Sequence, residues 1–249
     1  MSDPGPAAAT TSAPISPVAA VAGTFTSPSA TFARLLARPT WWLPLLVSLG
    51  LTAGIFALAS QKMDMDRTVR EALEKRSAKS GQTVSPETVA RQVQMTQKLH
   101  PYILGGVVVF GAAAFFVTGL VLWGAARAMG GEAGYAQILA FWAHASLPLL
   151  VGGLLAIPIF WAVADGSLTQ TEAQQLVRSN MGAFLPESAP AALRAAASSF
   201  DVFSIWALVL LVVGFRRIPG LSKGAATATP VVLWVLWIVV KTGWAALFG

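Results

Sequence analysis

Three ionisable side chains lie within or beside long apolar stretches of the sequence, and they are its candidates for chemistry: His144, Asp201 and Lys241. A charge in hydrocarbon is costly unless it is paired or hydrated, so each position suggests a function. His144, one turn before Pro148, is a candidate proton-relay or ligand residue. The alternative is that it hydrogen-bonds a neighbouring helix or fills a kink at the proline.

Lys241 lies about two turns before the end of the last apolar stretch. Its amine can extend to the membrane surface or pair with an acid. Asp201 begins the preceding apolar stretch, and antiparallel passage of the two stretches would place both residues toward the same face. An ion pair between Asp201 and Lys241 is therefore a hypothesis.

Catalytic constellations are missing from the sequence. There are two histidines, no cysteine, no His-Glu-x-x-His pattern, no phosphate-binding loop and no carboxylate pair inside an apolar stretch. Ser146 lies two positions after His144, so on a helix the two side chains point to different faces. We therefore predict a protein that is not an enzyme and needs no cofactor or metal.

Composition indicates which solvent surrounds the chain. Its 249 residues are 55% hydrophobic and only 11% charged, whereas soluble domains have about 25% charged residues. The net charge of +6 comes largely from Lys and Arg beside apolar runs, where they meet lipid headgroups. The sequence predicts an all-α, polytopic membrane helix bundle whose partner is the lipid bilayer and not nucleic acid.

Five apolar runs are candidate spans of a hydrocarbon core about 30 Å thick. Pro148 and Pro158 should bend the third one. The fourth is the shortest, because only residues 202–215 are free of charge, and it could re-enter instead of crossing. The predicted spans are 41–59, 102–126, 138–164, 200–215 and 229–248.

The remaining segments have distinct compositions. Residues 1–23, rich in Ala, Pro, Ser and Thr, are predicted to be a disordered tail, with the membrane domain covering 24–249. Residues 25–38 are predicted to form a short helix on the membrane surface, with Phe32 and Leu35 on its apolar face. The polar connectors, 61–100 and 166–199, should hold helices that begin at Ser85-Pro86 and at Thr169 or Thr171.

Small residues spaced by one helical turn allow close packing of membrane helices. Gly50 with Gly54 and Gly152 with Ala156 have this spacing. The distribution of Lys and Arg in the short connecting segments favours a cytoplasmic N-terminus, although the first connector opposes it.

The chain resembles the Yip-domain family of five-span membrane proteins, in its bacterial form. The resemblance is carried by Pro39-Thr-Trp-Trp42, by Gly134-Tyr135-Ala-Gln137 leading to Pro148, and by Phe200-Asp201-Val-Phe203. It implies five helices and a cytoplasmic N-terminus, but no catalytic residues. The Asp-Leu-Tyr-Gly-Pro stretch of the eukaryotic branch is absent, which puts binding of Rab-type GTPases in doubt.

We therefore predict a non-enzymatic integral protein of a bacterial inner membrane that acts as a scaffold, assembly factor or membrane organiser, alone or in a homo- or hetero-oligomer. Gly134, Tyr135, Pro148 and Asp201 are the positions to test. The alternative is a transporter or channel subunit that uses His144 and a polar path near the kinked third span.

Overall fold

The computed structural model describes residues 15–80, 85–175, 179–186 and 188–248. The all-α fold predicted from the sequence is confirmed, since the only β-structure among these residues is two isolated bridges. A 3-10 helix, Met181–Phe184, lies between α8 and α9. The helices are α1 (Pro17–Thr26), α2 (Pro28–Ala37), α3 (Trp42–Lys62), α4 (Met65–Ser80), α5 (Pro86–Ala128), α6 (Tyr135–Ala145), α7 (Leu147–Ala162), α8 (Gln170–Gln175), α9 (Ala191–Ala197), α10 (Val202–Phe215) and α11 (Lys223–Phe248).

Four helical stretches are long and apolar enough to cross a membrane: α3, Tyr102–Ala128 within α5, Tyr135–Ala162 formed by α6 and α7, and α11. The fifth predicted span, α10, has 14 residues. At 1.5 Å per residue it is about 21 Å long, shorter than a hydrocarbon core of about 30 Å. Length and composition thus support four spans, and a count of five is not confirmed.

The contacts at its ends show how α10 runs through the bundle. Just after its last residue, Arg217 donates a hydrogen bond to Ser29 in the first turn of α2, and the Glu132 N–H donates to the Pro219 carbonyl at 2.9 Å. At its start, the N-cap Asp201 accepts a hydrogen bond from Ser179 in the second connector. We call the end at Glu132 and Arg217 the turn end, and the end at Ser179 and Asp201 the connector end. Helix α10 runs from the connector end to the turn end, and α6 and α7 together also run between these two ends.

We expect α10 to place its flanking segments on opposite sides of the membrane. In the cysteine-free chain, single cysteines at Ser167 and Ser222, both exposed, should react with an impermeant reagent from opposite sides. A cysteine at Ser29, which is also at the turn end, should label from the same side as Ser222. Labelling of Ser167 and Ser222 from one side would instead make α10 a re-entrant helix.

The third predicted span is interrupted just before Pro148, one of the two prolines predicted to bend it. Helix α6 ends where the Ser146 hydroxyl donates to the Trp142 carbonyl at 2.6 Å, and α7 begins at Leu147 with Pro148 in its first turn. Proline fits this position because the first-turn N–H groups of a helix have no intrahelical partner. Pro158 remains inside α7.

The N-terminal region differs from both sequence predictions. Residues 1–14 of the expected disordered tail lie outside the described residues, but Pro17–Thr26 is the helix α1. Ser16 caps it by accepting the Ala19 N–H at 3.2 Å, and Ala20 is fully buried against other helices. Tertiary packing therefore orders a segment whose composition alone suggested disorder.

Helix α2 does not expose its apolar face to a membrane surface. Phe32 and Leu35 are fully buried, and the Phe32 ring lies edge-on to Phe141 of α6 with 5.4 Å between ring centroids. An added Cβ at Gly214 of α10 would lie 3.0 Å from the same ring. The predicted surface helix is thus part of the protein core at the turn end.

The glycine predictions have a mixed outcome. At Gly152 an added Cβ would lie 2.8 Å from the Phe203 ring, so α7 and α10 approach closely there, as the spacing predicts. At Gly50 and Gly54 no atom of a neighbouring helix lies within 4 Å of such a Cβ. This pair therefore does not pack against another helix among the described residues, and the close packing that its spacing allows stays a prediction.

Candidate functional site

The two polar connectors are joined to each other at the connector end. Lys62, at the end of α3, forms an ion pair of 2.6 Å with Asp165, which follows α7. The backbone pairs as well: the Asp64 N–H donates to the Leu168 carbonyl at 2.6 Å, and the Leu168 N–H donates to the Lys62 carbonyl at 2.9 Å. The ends of α3 and α7 are therefore held together outside the apolar spans.

A capping box strengthens this joint. The Thr169 N–H donates to Glu172 at 2.7 Å, and the Glu172 N–H donates to the Thr169 hydroxyl at 3.3 Å, so Thr169 caps α8 as one of the two predicted caps. Arg67 of α4 pairs with Glu172 at 3.1 Å. The Thr169 N–H first, and the Arg67 guanidinium second, hold the pKa of the Glu172 carboxyl below its ordinary value.

This lowered pKa predicts a pH dependence. Because the pKa of Glu172 is lower in the folded than in the unfolded chain, its contribution to stability is present above the ordinary value of 4.5 and is lost as the pH falls through the folded pKa. We expect wild type to melt above Glu172→Gln at pH 7 and the difference to vanish in acid. Glu87→Gln, which removes a pair with Arg91 on one helix, is the control. A difference that grew in acid would contradict the assignment.

A groove of about 630 Å³ lies beneath the joined connectors, between α3, α7 and the start of α10. Its walls are mostly apolar and include Ile55 and Phe56 of α3 with Leu149, Ala156 and Phe160 of α7. Ser179, Asn180, Ser198, Asp201 and Ser204 line it at the connector end. The groove thus combines an apolar interior with one polar, acid-containing mouth.

Asp201 is built into this mouth as the N-cap of α10. Its Oδ1 accepts the N–H groups of Phe203 at 2.7 Å and Ser204 at 3.1 Å, and its Oδ2 accepts the Ser179 hydroxyl. A carboxylate has about four acceptor sites, so capacity remains for a ligand. Asp201 is the one ionisable residue among the described residues that line the groove.

Lys241 does not pair with Asp201, so the ion-pair hypothesis is wrong. Its Nζ donates to the hydroxyls of Ser198 at 2.8 Å and Ser199 at 3.2 Å, which precede α10. Ser198 also lines the groove. Lys241 therefore contacts a residue of the mouth but does not line the groove, whereas Asp201 does.

His144 lies apart from the groove. It is fully buried in α6, and its Nδ1 lies 2.9 Å from the Ala140 carbonyl. A carbonyl only accepts, so Nδ1 carries a proton, and Nε2 has no hydrogen-bond partner among the described residues. Among the described residues, none is placed to exchange a proton with Nε2. The hydrogen bond of Nδ1 stays within α6.

Gly134 and Tyr135 lie at the turn end. The Gly134 N–H donates to the Gln137 side chain at 2.6 Å, and Gln137 donates in turn to the Leu36 carbonyl at 2.6 Å, which ties α6 to the end of α2. The Tyr135 hydroxyl donates to the Phe116 carbonyl of α5 at 2.8 Å. Both residues therefore connect helices, and neither faces the groove.

The six predicted positions thus do not form one site. Only Asp201 lines the groove; Lys241 is beside it, Pro148 and His144 are at the break between α6 and α7, and Gly134 and Tyr135 are at the turn end. Sequence reasoning missed Ser179 and the capping role of Gln137, although Gln137 stands three positions after the N-cap Gly134, where a capping side chain is expected. The described residues contain no group of three or more His, Asp or Glu suited to a metal ion.

Comparisons with known proteins agree with a membrane bundle of this kind. The model of the Yip1 domain matches residues 22–245 of the chain. A Bacillus subtilis (strain 168) protein described as membrane protein YknW is 27% identical over 221 residues, which cover 87% of this chain and 86% of that protein. No solved structure matches the chain.

Proposed function

Because the chain belongs to the Yip1 domain family, whose model covers residues 22–245, we propose that this integral membrane protein is a non-enzymatic scaffold, assembly factor or membrane organiser. The proposal places it in a bacterial inner membrane with a cytoplasmic N-terminus. A bacterial relative described as a membrane protein and the Lys and Arg of the short connecting segments support this placement.

The observation that carries the proposal is the open face of α3. Gly50 and Gly54 lie one turn apart near the middle of this span, both are exposed, and nothing in the described chain packs against them. Such spacing lets a second transmembrane helix approach the backbone closely. We propose that a helix of another membrane protein, or of a second copy, packs there.

The separation of the polar groups also supports a scaffold over a transporter. A transport path needs polar side chains from several helices facing one hydrated route. His144 lies outside the groove, and Lys241 and Asp201 have separate local partners. The groove itself favours the alternative of a transporter or channel subunit, but its polar residues are gathered at one end.

The test is to replace Gly50 and Gly54 together with leucine. Leucine side chains fit into the open space on this chain, so the purified variant should melt like wild type. They should block a partner helix, so the complex seen after mild solubilisation of the native membrane should fall to the size of the single chain. Complex size is measured by blue native electrophoresis and by crosslinking in the membrane.

Gly243→Leu is the matched control, because this glycine of α11 is equally open. It should leave the complex intact. A complex that survives the double substitution at Gly50 and Gly54, or a wild-type chain that is already alone in the native membrane, would count against the scaffold proposal.

A further inference from the structure

The groove has the dimensions of one lipid chain. Its wall on α7 runs from Leu149 to Phe160, a rise of eleven residue steps, or about 16 Å at 1.5 Å per residue. That is about half of a hydrocarbon core of about 30 Å, the depth that one leaflet occupies. Since α7 runs toward the connector end, Leu149 lies deep in the bilayer and Phe160 lies near the surface.

Asp201 carries the one charge among the described residues that line the groove. The Asp201 carboxylate faces the groove beside the Ser204 hydroxyl. Lys241 does not line the groove; it donates to Ser198, which is a lining residue. A headgroup that carries an ammonium group matches this mouth, because the ammonium meets a carboxylate that still has free acceptor positions.

We propose that the groove binds a phospholipid with a primary ammonium headgroup, with one acyl chain between α3 and α7. The ammonium donates hydrogen bonds to the free acceptor positions of the Asp201 carboxylate. This site goes beyond the scaffold proposal and does not depend on the Gly50 and Gly54 face of α3. The joined connectors cover the groove at the connector end.

The experiment uses the full chain in nanodiscs that contain a trace of photoreactive lipid. One probe is a phosphatidylethanolamine with a diazirine near the end of one acyl chain, and the other is a phosphatidylglycerol with the same chains. After irradiation, labelled positions are mapped by mass spectrometry. We expect the ethanolamine probe to label α7 around Leu149 about tenfold more than the glycerol probe, the ratio for one charged hydrogen bond.

Asp201→Asn tests the headgroup contact. Asparagine is as good an N-cap as aspartate, so α10 should be retained while the charge is removed. We expect labelling by the two probes to become equal. Glu87→Gln, an exposed acid in the hairpin of α4 and α5, is the control and should keep the wild-type preference.

Thr52→Trp tests the chain contact without touching the mouth. Thr52 is exposed and lines the groove, so a tryptophan there should fill it. Labelling around Leu149 should fall, while labelling of the outer face of α11 stays the same. If Asp201→Asn does not fold, Thr52→Trp by itself tests whether the groove binds an acyl chain.

Three results would overturn the proposal. They are equal labelling of the wild-type groove by both probes, which means ordinary boundary lipid; a preference that Asp201→Asn leaves unchanged; and labelling around Leu149 that persists in Thr52→Trp. Competition by dodecylamine that is lost in Asp201→Asn would support recognition of the ammonium group.

Discussion

Replacing Phe32 with alanine is expected to lower the free energy of unfolding by about 3–5 kcal/mol, the range for deletion of a buried aromatic ring. The ring is fully buried, lies edge-on to Phe141 and packs over the backbone of Gly214. Its removal leaves a cavity where α2, α6 and α10 meet. The loss can be measured by chemical unfolding of the purified protein in detergent.

Phe184→Ala is the matched control, because it makes the same chemical change at a ring that is 72% exposed. Its effect on unfolding should stay within about 0.5 kcal/mol, as for exposed positions generally. Similar values for the two variants would mean that α2 lies on the membrane surface, as its sequence pattern alone suggests. The experiment therefore distinguishes a packed from a peripheral α2.

Gly220→Ala is the second substitution with a large expected effect. Gly220 has φ +77°, and a Cβ there would collide with the Gly130 carbonyl in the turn between α5 and α6. The left-handed conformation costs an alanine about 1–2 kcal/mol, and forcing two backbones apart adds about 1–3 kcal/mol. We expect a marked fall in melting temperature and a weaker link between the two turns.

Gly166→Ala separates the two contributions. Gly166 also has a positive φ, +64°, but nothing lies within 4 Å of its added Cβ. This control should therefore show the conformational cost alone. If Gly220→Ala were no more harmful than Gly166→Ala, the two turns would not be in contact as described.

The turn end and the connector end suggest different roles. The turn end holds the larger core cluster, in which α1, α2, α6 and α10 share buried side chains such as Ala20, Phe141 and Phe215. The connector end holds the groove and the ion pairs of Lys62 and Arg67. Substitutions at the turn end should thus change stability, whereas those at the groove mouth should change binding.

The sequence by itself determined the features that depend on local chemistry. Apolar runs predicted the membrane bundle, Ser85-Pro86 predicted the start of α5, and Pro148 predicted the break before α7. These signals act over one or two helical turns, through capping, proline geometry and transfer of side chains into hydrocarbon. Asp201 was found for a similar reason, because a charge beside an apolar run is visible in the sequence.

Only the tertiary structure decided which surfaces meet. The apolar face of α2 looked suited to a membrane surface, but Phe141 and Gly214, more than 100 residues away, bury it. Lys241 was expected to pair with Asp201, but it donates hydrogen bonds to Ser198 and Ser199 instead. The ion pair of Lys62 with Asp165 joins the two connectors, and no sequence pattern links these two residues. An amphipathic face shows that a helix needs a partner, but not whether that partner is lipid or protein, because both remove apolar side chains from water.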